Sequence, residues 1–277
     1  MDTIVGLLRF SFLGKCDWFQ TRGKKGDSPE VMARQKQALY AETRLAKRFE
    51  AFEKICLPAM KAQTDQDFQF WVLTSPELPD PWLTRLHDLC ADLPQAQLMV
   101  SDARTTSEAY APALRQAADA AGRPAIQFRI DDDDAVSRHH VARIRREAAR
   151  LNDLPGFGLS FLRGLVIGGF SGRPMTYFDA YQGFAAAGAA VRMPEPDGCI
   201  YDMNNPRIPR LFPSFTDMRG FGYVQTRWDQ GNSAAFKKDR PVEHWFTEIS
   251  AQQFQDYLAD DFPFLQGLEL EFVREAA

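Results

Sequence analysis

Apolar and polar positions alternate with two different periods through the first half of the chain. Four short apolar runs predict buried strands, at 3–10, 67–74, 96–101 and 125–130. Between them, apolar residues three or four positions apart predict helices, at 29–61, 81–93 and 106–121. In the last helix we expect Ser107 at the N-cap and Gly122 just past the end. Strands that alternate with helices favour a mostly parallel sheet with helices on both faces, so we predict a Rossmann-like α/β fold.

The pattern becomes less regular after residue 136. A basic helix is predicted at 137–151 and a final helix at 250–258. Between them, short strand-like runs alternate with turn-rich stretches, at 158–162, 165–167 and 189–192. We therefore predict a single domain, 1–277, with a regular half at 1–136 that is typical of nucleotide binding and a less regular, substrate-facing half at 137–277.

Polar and charged side chains cluster where the four predicted strands end. Right-handed crossovers place the carboxyl ends of parallel strands on one edge of the sheet, where ligands of such folds bind. The candidate residues at this edge are Arg9, Thr74, Asp102 and the four consecutive aspartates Asp131–Asp134. We call these four aspartates the quartet.

The quartet concentrates negative charge that something must offset. Two unit charges 4 Å apart near a protein surface repel by roughly 4 kcal/mol. A bound Mn²⁺ or Mg²⁺ would neutralise them, because hard cations prefer oxygen ligands. Asp131, Asp133 and Asp134 are the candidate metal ligands, and Asp132 is the most dispensable. The alternative is a solvated acidic turn in which Asp134 caps the helix predicted from Ser137.

Composition narrows the class of protein. The chain has 277 residues with ordinary globular fractions of hydrophobic (45%) and charged (25%) residues. The net charge of −4 gives no support for a nucleic-acid partner. The four cysteines form no CxxC pair, so free thiols are expected rather than a zinc site. The beginning of the chain lacks the order of a signal peptide, and no stretch reads as a transmembrane segment. We therefore expect a cytoplasmic protein.

One motif admits a phosphatase interpretation. The run from Asp132 to Val136 (DDDAV) resembles the first motif of haloacid-dehalogenase-type phosphatases, which implies that Asp132 is a nucleophile. In that family the motif usually ends the first strand of the catalytic domain, whereas three strand–helix units precede it here. The family's lysine would have to be Lys237 or Lys238, and its acidic motif Asp260-Asp261.

A D-x-D at the end of a fourth strand instead resembles GT-A-fold glycosyltransferases. More narrowly, the chain resembles the bacterial rhamnosyltransferase family in four stretches, at 48–58, 64–73, 129–135 and 225–232. The resemblance implies a GT-A-like fold and a divalent metal that holds the diphosphate of a nucleotide-sugar, with Mn²⁺ or Mg²⁺ on Asp131, Asp133 and Asp134. It implies nucleotide contacts from Arg9, Phe10, Thr74, Asp102, Arg104, Arg129 and Asp131.

The same resemblance implies a reaction. The donor would be a dTDP- or UDP-sugar, with rhamnose as the suggested sugar, and the acceptor a glycan or a lipid-linked saccharide reached by peripheral membrane contact. An inverting enzyme also needs a carboxylate base, for which we prefer Asp217 over Asp229 and Glu243. No histidine lies at 227–232, so a third metal ligand would be Asp229 or His244.

Several features admit two interpretations. The arginines of the basic helix either face phosphates or an anionic membrane, or form a solvated surface with Glu147 and Asp153. The basic loop 22–25 is either a lid over a diphosphate or a plain loop. The rival class to an enzyme is a non-catalytic protein that binds Ca²⁺ or a sugar, which would respond to its ligand without turnover.

Overall fold

The computed structural model describes residues 2–15, 28–169, 174–228 and 244–270. The four strands predicted in the first half are present, as β1 (Ile4–Arg9), β2 (Gln69–Thr74), β3 (Ala96–Val100) and β4 (Ile126–Ile130). Strand β1 pairs in parallel with both β2 and β4, and β2 pairs in parallel with β3. The predicted parallel core of an α/β fold is therefore confirmed.

Helices connect these strands, and the first predicted helix is divided. The segments are α1 (Pro29–Leu39), α2 (Glu42–Ala51), a π-helix (Phe52–Cys56), α3 (Leu57–Lys61), α4 (Trp82–Ala91) and α5 (Thr106–Ala121). Between α1 and α2 the chain extends at Ala41, and Arg44 Nη1 donates to the carbonyl of Leu39 at 2.9 Å. This contact satisfies one of the carbonyls left open where α1 ends.

The ends of α5 test two predictions. The predicted N-cap, Ser107, is wrong because Thr105 accepts the hydrogen bond from the backbone N–H of Glu108 at 3.1 Å. The predicted stop at Gly122 is confirmed: this residue is left-handed, with a φ of 72°, and follows the last helical residue.

The second half contributes three strands to the first sheet. These are β6 (Phe157–Phe161), β9 (Ala190–Arg192) and β10 (Ser214–Asp217), and the strand order is β10-β6-β9-β4-β1-β2-β3. Strand β9 runs antiparallel to its neighbours β4 and β6, whereas β10 runs parallel to β6. The larger sheet is therefore mostly parallel, and both halves of the chain build it.

The second half also forms a sheet that the sequence analysis did not predict. Its strands are β5 (Ala135–Val136), β7 (Arg163–Gly169), β8 (Thr176–Tyr181), β11 (Tyr223–Trp228) and β12 (Phe246–Ile249), in the order β12-β8-β7-β11-β5. Three glycines in β7 weakened its strand signal. At one of them, Gly164, a Cβ atom would lie 2.1 Å from the Tyr223 ring, so this position has room only for glycine.

The remaining helices cover the sheets. They are α6 (His140–Arg150), α7 (Ile208–Leu211) and α8 (Ala251–Asp261), so the basic helix begins three residues later than predicted. Alternate residues of β1 enter two separate cores, with Ile4 and Leu8 in one and Val5 and Leu7 in the other. Both faces of the larger sheet are thus buried at its centre, as parallel sheets require. None of the described helices is long and apolar enough to cross a membrane.

Candidate functional site

The strand order reverses between β1 and β4. From β1 the chain moves outward to β2 and β3, then returns to place β4 on the other side of β1. Ligands of open α/β sheets bind at such a switch point, in the crevice outside the carboxyl ends of the strands. Leu8 pairs with Ile130, so Arg9 and Asp131 are the next residues at this edge. The fold therefore brings the quartet and the end of β1 together.

The quartet forms a tight turn between two sheets. The backbone N–H of Asp134 donates to the carbonyl of Asp131 at 3.2 Å, and the chain then continues directly into β5. Thr226 Oγ1 of β11 donates to the carbonyl of Asp133 at 2.7 Å. The turn is therefore stabilised by a hydrogen bond of its own and by one from β11, and its four side chains have fixed and different surroundings.

Asp132 and Asp133 share one arginine. Arg48 of α2 donates from Nη1 to Asp132 Oδ1, and the same nitrogen lies 3.0 Å from Asp133 Oδ2. Trp228 Nε1 also donates to Asp133 Oδ2, at 2.9 Å, and its ring lies under the guanidinium of Arg48. Both carboxylates are buried. One arginine thus compensates part of the charge of two buried aspartates.

Asp134 is bound to β11 and does not cap a helix. Its carboxylate accepts hydrogen bonds from the backbone N–H of Thr226 at 3.2 Å and from Gln225 Nε2 at 3.3 Å. The N-cap of α6 is His139, whose side chain makes no capping bond. The alternative interpretation of Asp134 as a helix cap is therefore wrong.

Asp131 is the most open member of the quartet, with 35% of its side chain exposed. Arg129 Nη2 lies 3.3 Å from its Oδ1. Burial opposes ionisation of Asp131, but the positive charges of Arg129, Arg9 and Arg48 outweigh it and lower its pKa. The guanidinium groups of Arg129 and Arg9 also lie 4.8 and 5.8 Å from the centre of the Tyr201 ring. Two cations, one carboxylate and one aromatic ring thus meet at the switch point.

Burial opposes ionisation at two members of the quartet, although several arginines face the turn. Burial raises the pKa of Asp132 to about 7 against the opposing effect of Arg48. Burial and the neighbouring carboxylates Asp133 and Asp131 raise the pKa of Asp134 well above its usual value. A bound cation would favour the charged forms, and carboxylate oxygens are ligands that Mg²⁺ and Mn²⁺ prefer. The donor set at the turn therefore fits a hard divalent cation.

A complete ligand set is not visible in the described part of the chain. No three histidine, cysteine, aspartate or glutamate side chains there are arranged to hold a metal. His244 precedes β12, which lies at the opposite edge of the second sheet from β5, four strand spacings or roughly 19 Å away. His244 is thus not brought to the quartet. Asp229 and Glu243, like the loop 22–25 and the two candidate phosphatase lysines, lie outside the described residues.

Two predicted nucleotide contacts are unavailable in this conformation. Phe10 is fully buried, with its ring 4.7 Å from Phe49 and 5.4 Å from Phe52, centre to centre. It is a core residue and cannot stack on a base. Thr74 is also fully buried, although its hydroxyl has no hydrogen-bond partner in the described structure. The predictions for Phe10 and Thr74 are corrected for the same reason, since each side chain points into packed protein.

Asp102 and Arg104 lie in the loop after β3, and both are exposed. The backbone N–H of Lys15 donates to the carbonyl of Arg104 at 2.7 Å, which joins this loop to the segment after β1. Both residues thus border the crevice next to β1, where a nucleotide contact remains a prediction.

The predicted base, Asp217, lies in a different environment. It ends β10, three strand spacings or roughly 14 Å from β4. Its carboxylate accepts hydrogen bonds from Arg143 Nε at 3.0 Å and from Arg219 Nε at 2.8 Å. Burial opposes ionisation, but the bonds from Arg219 and Arg143 outweigh it and lower the pKa to about 2. Asp217 is thus a buried ion-pair partner, remote from the quartet and a weak base.

Sequence analysis did not assign three residues of this site. Arg44 and Arg48 are one helical turn apart on α2 and approach the quartet, and Tyr201 contacts both Arg9 and Arg129. The position of the two arginines could have been predicted. They lie next to the core positions Leu45, Phe49 and Phe52 in the helical pattern and therefore face inward. Tyr201 lies in a turn-rich segment with no comparable pattern.

Solved structures provide remote similarities. S. aureus TarS 1–349 is 9% identical, with a TM-score of 0.44, and the match covers 81% of this chain and 60% of that one. S. aureus TarS 1–349 in complex with UDP is 7% identical, with a TM-score of 0.42 and coverage of 99% and 69%. A glucose-1-phosphate thymidylyltransferase structure from Bacillus anthracis is 12% identical, with a TM-score of 0.34 and coverage of 80% and 89%.

Sequence comparison gives a family. No curated protein matches the chain. The family model described as "Putative rhamnosyl transferase" matches residues 3–240, which is most of the chain. This match agrees with the resemblance seen at the quartet and at 225–232. The chain belongs to this rhamnosyl transferase family.

Proposed function

We propose that the protein is a metal-dependent glycosyltransferase that takes its sugar from a nucleotide-sugar bound over the switch point between β1 and β4. The donor is a dTDP- or UDP-linked sugar, and the family description favours rhamnose as the transferred group. The acceptor is a glycan or a lipid-linked saccharide. The observation that carries the proposal is the turn of four adjacent carboxylates at the switch point of an α/β sheet.

Each residue near the turn has a role in this proposal. Asp131 and Asp133 hold the cation, because Asp131 is partly exposed and Asp133 has one oxygen that receives none of the bonds described above. When bound, the cation supplies Lewis-acid stabilisation to the departing diphosphate. Arg9 and Arg129 lie beside Asp131 and can add hydrogen bonds to phosphate oxygens. Asp134 stabilises the conformation of the turn through its bonds to β11, and Asp132 does so through its bond to α2.

Donor binding gives the direct test. We expect the melting temperature to rise with Mn²⁺ and a nucleoside diphosphate together, and to change little with either alone. Asp131→Asn should abolish the joint effect. The matched control is Asp119→Asn, an exposed carboxylate on α5 that should keep it. Failure of UDP, dTDP and GDP to stabilise the wild type with Mn²⁺ would refute the proposal.

Two rival functions make different predictions. A phosphatase that uses Asp132 would form an aspartyl adduct with beryllofluoride at that residue. Asp132 is buried and bound to Arg48, which is a poor arrangement for a nucleophile, so we expect no adduct. A non-catalytic binding protein would bind the nucleotide-sugar without consuming it. Release of nucleoside diphosphate from dTDP- or UDP-sugars therefore separates a transferase from a binding protein.

A further inference from the structure

Exposed apolar side chains are concentrated at one end of the larger sheet. Of five large hydrophobic residues that the described structure exposes, three lie within eight positions: Leu211 (50% exposed), Phe215 (36%) and Met218 (72%). Phe215 lies in β10, the edge strand of the larger sheet, and the other two lie just before and just after this strand. Exposed apolar groups that cluster in this way mark interaction sites.

Arginines flank this edge on both faces of the sheet. On one face, Arg146 and Arg150 of α6 and Arg219 all contact Glu147, at 2.9, 2.9 and 2.5 Å. On the other face, α7 packs against the start of β10, because Ile208 and Ser214 both crowd Gly158. Helix α7 and the turn before it carry Arg207 and Arg210, which are exposed and form no ion pair within the described ranges.

The two carboxylates that pair with the arginines on the α6 face are buried. Glu147 and Asp217 are each about 2% exposed, whereas Arg146, Arg150 and Arg219 are about half exposed or more. Asp217 is further held by Arg143. The exposed members of these ion pairs are therefore positive, although the whole chain carries a net charge of −4. A local charge opposite to the net charge orients a protein on an oppositely charged partner.

We propose that this edge is a docking surface for an anionic lipid bilayer. The β10 edge surface comprises the apolar residues Leu211, Phe215 and Met218 and the arginines Arg146, Arg150, Arg207, Arg210 and Arg219. Apolar side chains insert at the boundary between headgroups and acyl chains, while arginines contact anionic headgroups. A second copy of the chain fits this surface less well, because a twofold contact would place the arginines of one copy against the same arginines of the other. The inference goes beyond the proposed function and does not rest on it.

The test is sedimentation of the full chain with vesicles. We expect binding to phosphatidylcholine vesicles that contain 30% phosphatidylglycerol, and little binding to pure phosphatidylcholine. Raising the NaCl concentration from 0.1 to 0.5 M should release the protein. Arg207→Ala and Arg210→Ala should each weaken partitioning of the protein onto these vesicles about fivefold. Met218→Ser should weaken it about tenfold or more, because its side chain is the most exposed of the three.

Matched controls lie elsewhere on the protein. Val100→Ser changes an exposed apolar residue on β3, the opposite edge strand, and Arg34→Ala removes an exposed arginine from α1. Both variants should bind vesicles like the wild type. Equal binding to neutral vesicles, unchanged binding of the Arg207, Arg210 and Met218 variants, or equal losses in the controls would each overturn the proposal. Melting curves with Mn²⁺ and nucleoside diphosphate should be unaffected by these variants, which separates this surface from donor binding.

Discussion

At the scale of single residues, Arg48 is the cation on which the quartet most depends. It is buried and faces two buried carboxylates, Asp132 and Asp133. Removing one partner of a buried pair leaves an uncompensated charge, which costs more than the intact pair contributes. The quartet's charge is therefore best tested at Arg48.

We expect Arg48→Met to lower the free energy of unfolding by about 3 kcal/mol, at the lower end of the range for broken buried pairs, because Asp132 can take up a proton. The measurement is urea unfolding at pH 7.5. The double variant Arg48→Met with Asp132→Asn should recover most of the loss. A loss below about 1 kcal/mol in the single variant would mean that the pair contributes little.

His140 provides a prediction on pH. Its ring lies between Phe128 and Phe161, both ring nitrogens are buried without a partner in the described structure, and burial lowers its pKa to about 3. The unfolded state, with an ordinary pKa near 6.5, takes up a proton that the folded state refuses, so stability falls as the pH falls below about 6.5.

From pH 7.5 to 5.5 the wild type should therefore lose about 1.4 kcal/mol more stability than His140→Leu, measured by urea unfolding at each pH. Comparing the two proteins cancels the titration of the other groups. Parallel pH profiles would contradict the low pKa of His140.

Residue chemistry was only partly readable from the sequence. The carboxylates at the strand end were found because four adjacent aspartates have no ordinary structural use. Phe10 and Thr74 were misjudged because a strand's last residues can face either the crevice or the core, and sequence position alone does not decide this. The partners of Asp217 come from α6 and from Arg219, and the pairing across elements has no signature in the local pattern.

At the scale of elements, the pairing of β7 with β11 depends on a missing side chain. Gly164 faces Tyr223, whose ring occupies the space that a Cβ atom would need. We expect Gly164→Ala to lower the free energy of unfolding by about 2 kcal/mol, as overpacking does. The matched control is Gly183→Ala, where a Cβ atom would meet no neighbour closer than 3.9 Å. Similar losses in both variants, measured by urea unfolding, would refute the steric argument.

Elements were predictable where their periodicity was uninterrupted. Strands β1 to β4 and helix α5 follow their apolar patterns closely. The division of 29–61 was not predicted because the apolar spacing continues through Tyr40 and Ala41, while the end of α1 involves hydrogen bonds from Arg44 to the carbonyl of Leu39 and to the hydroxyl of Ser11. The second sheet was missed because its strands are short or rich in glycine and pair across long stretches of chain.

At the scale of the whole molecule, Asp217 joins α6 to the far edge of the larger sheet. Its bonds to Arg143 and Arg219 predict that Asp217→Asn lowers the free energy of unfolding by about 2 kcal/mol and leaves nucleotide binding intact. The control is Asp153→Asn, an exposed residue after α6. The opposite outcome would identify Asp217 as the base. In that case Asp217→Asn would be as stable as the wild type, its kcat would fall, and its pH–rate profile would lack the acidic limb.

The interleaving of the two sheets could not be predicted at this scale. The first half gives β5 to the second sheet, and the second half gives β6, β9 and β10 to the first. A division of the chain at residue 136 therefore describes the sequence pattern and not the architecture.

One consequence of this interleaving concerns mechanics. Only the four residues of the quartet separate β4 in one sheet from β5 in the other, and Thr226 and Trp228 of β11 donate hydrogen bonds to the same turn. The turn directly connects the two sheets, so any motion of one sheet relative to the other must deform it. A ligand that rigidifies the turn therefore limits this motion, and we expect its binding to slow amide exchange in β11 together with β4.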